Sequence, residues 1–143
     1  MEWKRDSYTI STDPARLDRD AIHRFLVGSY WASGIPRAIV DRSIERSMPF
    51  GIFDGDRQVG FARVITDHAT FAYLADVYVL ESHRGRGLAL WLTEVIRSHP
   101  ELQGLRRWLL ATRDAHALYR KAGFREPDDP RRYMEITNRE VYR

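Results

Sequence analysis

The chain has 143 residues, 43% of them hydrophobic and 30% charged, the length and composition of one globular domain that buries a core without covalent staples. It contains no cysteine, which excludes disulfides, thiolate metal sites and a cysteine nucleophile carrying an acyl group. The net charge of +3 comes from arginines spread along the chain rather than packed in a run, so a polyphosphate ligand accounts for it as well as nucleic acid does.

The stretch Tyr8 to Ser11 alternates like a short edge strand, and Ser11-Thr12-Asp13-Pro14 supplies a capping residue followed by proline, which predicts a helix from that point. Leu17, Ala21 and Phe25 recur at helical spacing, and after Gly28 an aromatic loop, Ser29-Tyr30-Trp31-Ala32-Ser33-Gly34, leads to a second helix from Pro36 with Ile35, Ile39, Val40 and Ile44 on its apolar face. The longest mostly apolar stretch, around Phe25 to Ile35, is too short for a bilayer and is interrupted by glycine, and the charged start has no signal-peptide core, so the expected location is cytoplasmic, with no membrane partner.

A strand through Pro49 ends at Asp54-Gly55-Asp56, a hairpin signal, and Val59 to Thr66 and Phe71 to Leu80 read as long central strands. Beyond the glycine-rich turn at residues 84 to 87, Leu88, Trp91, Leu92, Val95 and Ile96 follow the spacing of an amphipathic helix that stops before Pro100. Arg107 to Ala111 is a further strand, Asp114 is placed to cap a helix carrying Ala115, Leu118, Tyr119 and Ala122 that ends at Gly123, and Arg132 to Ile136 is a candidate last strand. A strand, crossover helix and strand in succession require a parallel pair, so the prediction is a mixed α/β sheet in a single domain over residues 1–143.

The chemistry concentrates where Val79-Leu80-Glu81-Ser82-His83 passes through Arg84-Gly85-Arg86-Gly87-Leu88-Ala89 into the best helix of the chain. A helix start of this kind presents unpaired amides and the positive end of a dipole, glycine lets a phosphate approach the backbone, and Arg84 and Arg86 add charge. The pattern is not a Walker A loop, lacking Gly-Lys-Ser/Thr, nor a dinucleotide fingerprint, because Leu90 stands where the third glycine belongs.

It resembles the acetyl-CoA pyrophosphate loop of the GNAT superfamily, Gln/Arg-x-x-Gly-x-Gly/Ala after a strand ending in valine. About thirty residues on, Ala115-His116-Ala117-Leu118-Tyr119-Arg120-Lys121-Ala122-Gly123-Phe124 resembles that family's Ala-x-x-Leu-Tyr-x-x-x-Gly-Phe segment. The resemblance implies a GNAT fold: a mostly antiparallel sheet splayed between the fourth and fifth strands and flanked by about four helices. It also implies acetyl-CoA as co-substrate, pyrophosphate on residues 84 to 89, and the main chain of Val77, Tyr78 and Val79 against the pantetheine arm and thioester carbonyl. Tyr119 aligns with the tyrosine that protonates the departing thiolate, and Thr112 stands where an asparagine often contacts pantetheine.

The attacking amine must lose a proton, and Asp76, a carboxylate inside an apolar strand, is the first candidate for base or amine contact, ahead of Glu81 and His116. Tyr30 and Trp31 occupy the region that usually walls the acceptor pocket in similar proteins. The five histidines show no paired ligand spacing, and no metal is implied. The expected activity is direct acetyl transfer to a primary amine, on a small molecule or peptide, in a ternary complex. The alternatives are a non-catalytic acyl-CoA-binding module on the same fold and, with less support from any motif, an arginine-based nucleic-acid binder. A homodimer is compatible with an exposed sheet edge.

Overall fold

The computed structural model describes all residues, 1–143. Its frame is one six-stranded sheet whose spatial order is its chain order. β1 (Glu2–Arg5), β2 (Tyr8–Ser11), β3 (Met48–Asp54), β4 (Arg57–Thr66) and β5 (Phe71–Val79) run antiparallel in succession, and β6 (Arg107–Leu109) lies parallel to β5. The expected fourth and fifth strands are thus β5 and β6, because an additional strand precedes Tyr8. That strand, Glu-Trp-Lys-Arg, is an edge rich in charge, and only Trp3 packs against the core.

The helices α1 (Arg19–Val27) and α2 (Arg37–Glu45) precede β3, α3 (Leu88–Ser98) makes the crossover, and α4 (His116–Lys121) follows β6. The sheet's pleat sends alternate side chains to two cores. Phe50, Ile52, Val64 and Leu74 pack with Leu88, Leu92, Val95 and Ile96 of α3, while Phe61 and Tyr78 pack with Ile22, Leu26, Val40 and Ile44 of α1 and α2. The apolar spacing of α3 is satisfied in full, and each fully buried leucine or isoleucine there contributes roughly 1.5–3 kcal/mol. The hairpin at Asp54 is a two-residue turn with Gly55 at φ +60, closing on Asp54 opposite Arg57.

Three local expectations are corrected. Asp13 caps only a 3-10 turn, Pro14–Arg16, and Leu17 then leaves the helical region. The α-helix starts after Asp18, whose carboxylate accepts from the Ala21 amide at 3.0 Å and whose own amide donates to the buried Gln58 side chain at 2.8 Å. That tertiary bond sets the entry point, outweighing the proline signal.

At α4 the N-cap is Ala115 and no side chain caps the first turn: Thr112 Oγ1 accepts from the Ala115 amide at 3.0 Å just ahead of the helix, and Asp114 makes no cap. The candidate last strand at Arg132–Ile136 does not form. A 3-10 turn capped by Asp129 covers Pro130–Arg132, and Met134 and Ile136 beyond it are fully exposed. Strand-compatible composition does not make a strand without a paired edge. The segment from Gly123 to Tyr133 arches beside β6 instead of joining it, enclosing a cavity of about 660 Å³ over Trp108, Leu110 and Phe124.

Candidate active site

The site begins where β5 parts from both neighbours. Its pairing with β6 covers Phe71–Tyr73 and then stops, so residues 74 to 79 have no partner on that side. On the other side the register with β4 shifts between Phe61 and Arg63, and the extra residue sits in a bulge with Asp76 at φ +56. Leu80 donates to the Val59 carbonyl at 2.8 Å, and Tyr78 stands opposite Phe61. Antiparallel alternation therefore turns the main chain of Val79 and Val77 away from β4, toward the gap. Tyr78 differs from the sequence expectation: its main chain belongs to the ladder and its ring stacks on Phe25 at 3.9 Å between centroids. Burial raises the pKa of its phenol.

The expected phosphate loop follows directly. Gly85 and Gly87 both lie in the left-handed region, at φ +79 and +73, and Gly87 is the N-cap of α3 with no side chain to satisfy the first turn. The amides of residues 85 to 90 donate to no acceptor in the protein; the first bonded amide is that of Trp91, on the Gly87 carbonyl. Arg84 Nε donates to the Val79 carbonyl at 3.0 Å, and Arg86 Nη1 donates to the Tyr8 hydroxyl at 2.8 Å. No ion pair of the fold involves either arginine. Free amides, two guanidinium groups without carboxylate partners and a helix dipole thus occur within a few consecutive residues, a combination suited to a multiply charged anion.

Each oxygen of Asp76 accepts one hydrogen bond from the protein. Its Oδ2 accepts from Arg63 Nε at 2.6 Å and its Oδ1 from Trp31 Nε1 at 2.8 Å, and its side chain is only 10% exposed. Asp76→Ala would leave Arg63 unpaired in a site where it is 18% exposed. A loss of about 3 kcal/mol of stability is expected, read by urea unfolding.

The aromatic loop between α1 and α2 reaches both β5 and the segment after β6. Trp31 reaches Asp76, and Tyr30 accepts from the Arg113 amide at 3.3 Å while the Arg113 guanidinium lies 3.8 Å from the centre of its ring. Both aromatics remain about half exposed. Tyr119, on α4, is half-buried with its ring edge-on to Phe124. Burial, with a smaller contribution from neighbouring Tyr30, raises its phenol to about 12. It stays protonated at every physiological pH, as a proton donor must.

His116 and Thr112 share the cavity beside β6 with Tyr119, but none of residues 76 to 89 line that cavity. The cavity and the glycine-rich loop are thus separate features, and residues 84 to 87 of the loop are exposed. Glu81 lies exposed in the turn before the loop.

Two groups escaped the sequence reading. Arg63 interrupts Phe61-Ala62-Arg63-Val64 as Asp76 interrupts its own strand, and pairing the two charges across a hairpin was the available signal. The N-terminal hairpin's contact with the loop, through Tyr8 and Arg5, left no local signal.

Comparisons with known proteins agree with this geometry. The family profile described as acetyltransferase (GNAT) domain matches residues 45–126. A Gibberella zeae protein named "Putative acetyltransferase FG08082" is 34% identical over 144 residues, spanning 85% of this chain and 80% of that protein. A crystal structure of a GNAT-family protein from Xanthomonas campestris pv. campestris superposes with a TM-score of 0.91 at 51% identity, covering 94% of this chain and 96% of that one. A Clostridium acetobutylicum protein whose crystal structure is with acetyl-CoA shares the fold at a TM-score of 0.65 and 14% identity, over 91% of this chain and 94% of that one. With its splayed sheet, its glycine-rich loop and a matching profile over more than half its length, this chain belongs to the GNAT acetyltransferase family.

Proposed function

We propose that the protein transfers the acetyl group of acetyl-CoA directly to a primary amine within a ternary complex. The observation that carries this reading is the run of unbonded amides at residues 85 to 90 beside two unpaired arginines, next to a strand whose main chain is open on one side. These residues fit a CoA pyrophosphate, since a Cβ at Gly85 would meet nothing within 4 Å and no side chain crowds the cradle there. CoA supplies an activated thioester, and all else falls to the chain.

In this reading the loop amides, Arg84 and Arg86 hold the pyrophosphate, and the open main chain of Val77 and Val79 aligns the pantetheine arm and donates to the thioester oxygen as it gains charge. Leu88 and Ala89 contribute amides, and Leu88 anchors the first turn in the core. The amine nitrogen bonds to the acyl carbon, the carbon–sulfur bond breaks, Tyr119 gives its proton to the sulfur, and the second proton that the nitrogen sheds as it becomes an amide restores the phenol through water. Each Asp76 oxygen retains a lone pair beyond its bonds to Arg63 and Trp31, so the carboxylate attracts and orients the protonated amine while its proton leaves through water. Trp31 and Tyr30 wall the acceptor. With no cysteine in the chain, an acyl-cysteine enzyme does not arise.

Titration calorimetry with acetyl-CoA, followed by a thiol-release screen over amines and peptides, tests the proposal. Micromolar binding with thiol release is the expected result. Binding without release for any amine favours the acyl-CoA-binding module, and absence of binding overturns both readings.

A further inference from the structure

The N-terminal hairpin reaches the phosphate loop from the far end of the chain. Arg5, the last residue of β1, places Nη2 at 3.5 Å from the Arg86 carbonyl and 3.3 Å from where a Cβ on Gly87 would stand. Its guanidinium lies over the ring of Trp91 in the first turn of α3, 5.6 Å from the centroid. Like Arg84 and Arg86, Arg5 pairs with no carboxylate. Three like charges gathered on a helix N-terminus without a counter-charge repel one another unless an anion joins them.

Behind them lies a second contact. Tyr8, buried on β2, accepts from Arg86 Nη1 at 2.8 Å, which leaves its hydroxyl hydrogen for Nδ1 of the buried His83 at 2.9 Å. Tyr8 and His83 meet edge to face, 5.8 Å between centroids, so both rings are fixed by packing as well as by the bond. A guanidinium has five N–H donors, and anchoring one at Tyr8 aims the rest.

We infer that the β1–β2 hairpin completes the CoA phosphate site, with Arg5 as a direct ligand of a CoA phosphate and Tyr8, backed by His83, as a positioning residue for Arg86. This rests on the CoA reading of the loop. It predicts a third charged contact beyond the two that the loop itself carries.

Calorimetry with acetyl-CoA on the full chain provides the test. Arg5→Gln is expected to raise Kd roughly tenfold and to flatten the dependence of log Kd on log salt, as loss of one charge-assisted contact requires. Lys4→Gln removes the same charge one residue away, on the other face of the strand, and should leave Kd at the wild-type value. Tyr8→Phe should weaken binding about fivefold, and that effect should vanish in an Arg86→Gln background, the coupling that marks action through Arg86. A general loss of structure would persist in both backgrounds and would lower the melting temperature.

Equal affinities for R5Q, K4Q and wild type would overturn the role of Arg5, and a Y8F effect undiminished in R86Q would overturn that of Tyr8. In either case the loop assignment survives as long as the wild-type protein binds. Failure of the wild type to bind acetyl-CoA removes the underlying reading, and this inference with it.

Discussion

Gly87→Val is expected to weaken acetyl-CoA binding by about 100-fold or more while leaving the fold in place, and two independent costs produce that figure. The first is backbone strain: Gly87 sits at φ +73 as the N-cap of α3, a region that a β-branched residue enters only at a cost of roughly 1–3 kcal/mol. The second is space. A Cβ at this position stands 3.3 Å from Arg5 Nη2, so the added methyl groups crowd that guanidinium and push it from the loop. Gly85→Val separates the two costs, because Gly85 has φ +79 but nothing within 4 Å of its Cβ position. It should therefore show the strain without the crowding, and the smaller loss of affinity. Circular dichroism checks the fold of each variant and calorimetry reads the affinity; a G87V protein that binds as tightly as wild type would remove the loop from the cofactor site.

Much of this site was legible because its determinants are local. The apolar spacing of α3, the Asp54-Gly55 turn and the glycines at 85 and 87 are each decided by a few consecutive residues, and each appears where the spacing places it. Legibility ended where a partner distant in sequence decides the outcome. Asp76 interrupts an apolar strand visibly, yet its pairing with Arg63 depends on a bulge that shifts the register by one residue, which no periodicity reports. The start of α1 was displaced to Asp18 by a bond to Gln58, forty positions away. β1 carries too little apolar alternation to announce a strand, and its function at the loop emerges only when the hairpin brings Arg5 and Tyr8 beside Arg86. At the C-terminus the reverse occurred: Arg132 to Ile136 is a candidate strand by composition but finds no edge to pair with.

Tyr119→Phe carries the other large expected effect: a fall in kcat of about 100-fold or more with any amine that the screen identifies, at nearly unchanged affinity for acetyl-CoA. The split follows from the environment of the hydroxyl. It has no hydrogen-bond partner within the protein that the change would orphan, and its ring keeps its packing against Phe124 when the oxygen is removed. Binding and stability therefore change little, and what disappears is the proton delivered to the leaving sulfur.

The pH profile provides an independent reading. A group that must be protonated to act loses its effect as pH rises through its pKa, and burial raises this phenol to about 12, above the ordinary value of 10. In the wild type ionisation of Tyr119 should therefore cause no fall in kcat through pH 10, where an exposed tyrosine would already be half ionised. The raised pKa also means that folding favours the phenol form, so this group leaves stability independent of pH below pH 10 and stability falls between about 10 and 12 as the unfolded chain ionises first. If Y119F turned over at the wild-type rate, Tyr119 would be a core residue and the sulfur would take its proton from water. If instead kcat fell together with a large rise in Kd, the hydroxyl would be acting in binding rather than in proton transfer, and the assignment would fail in a different way.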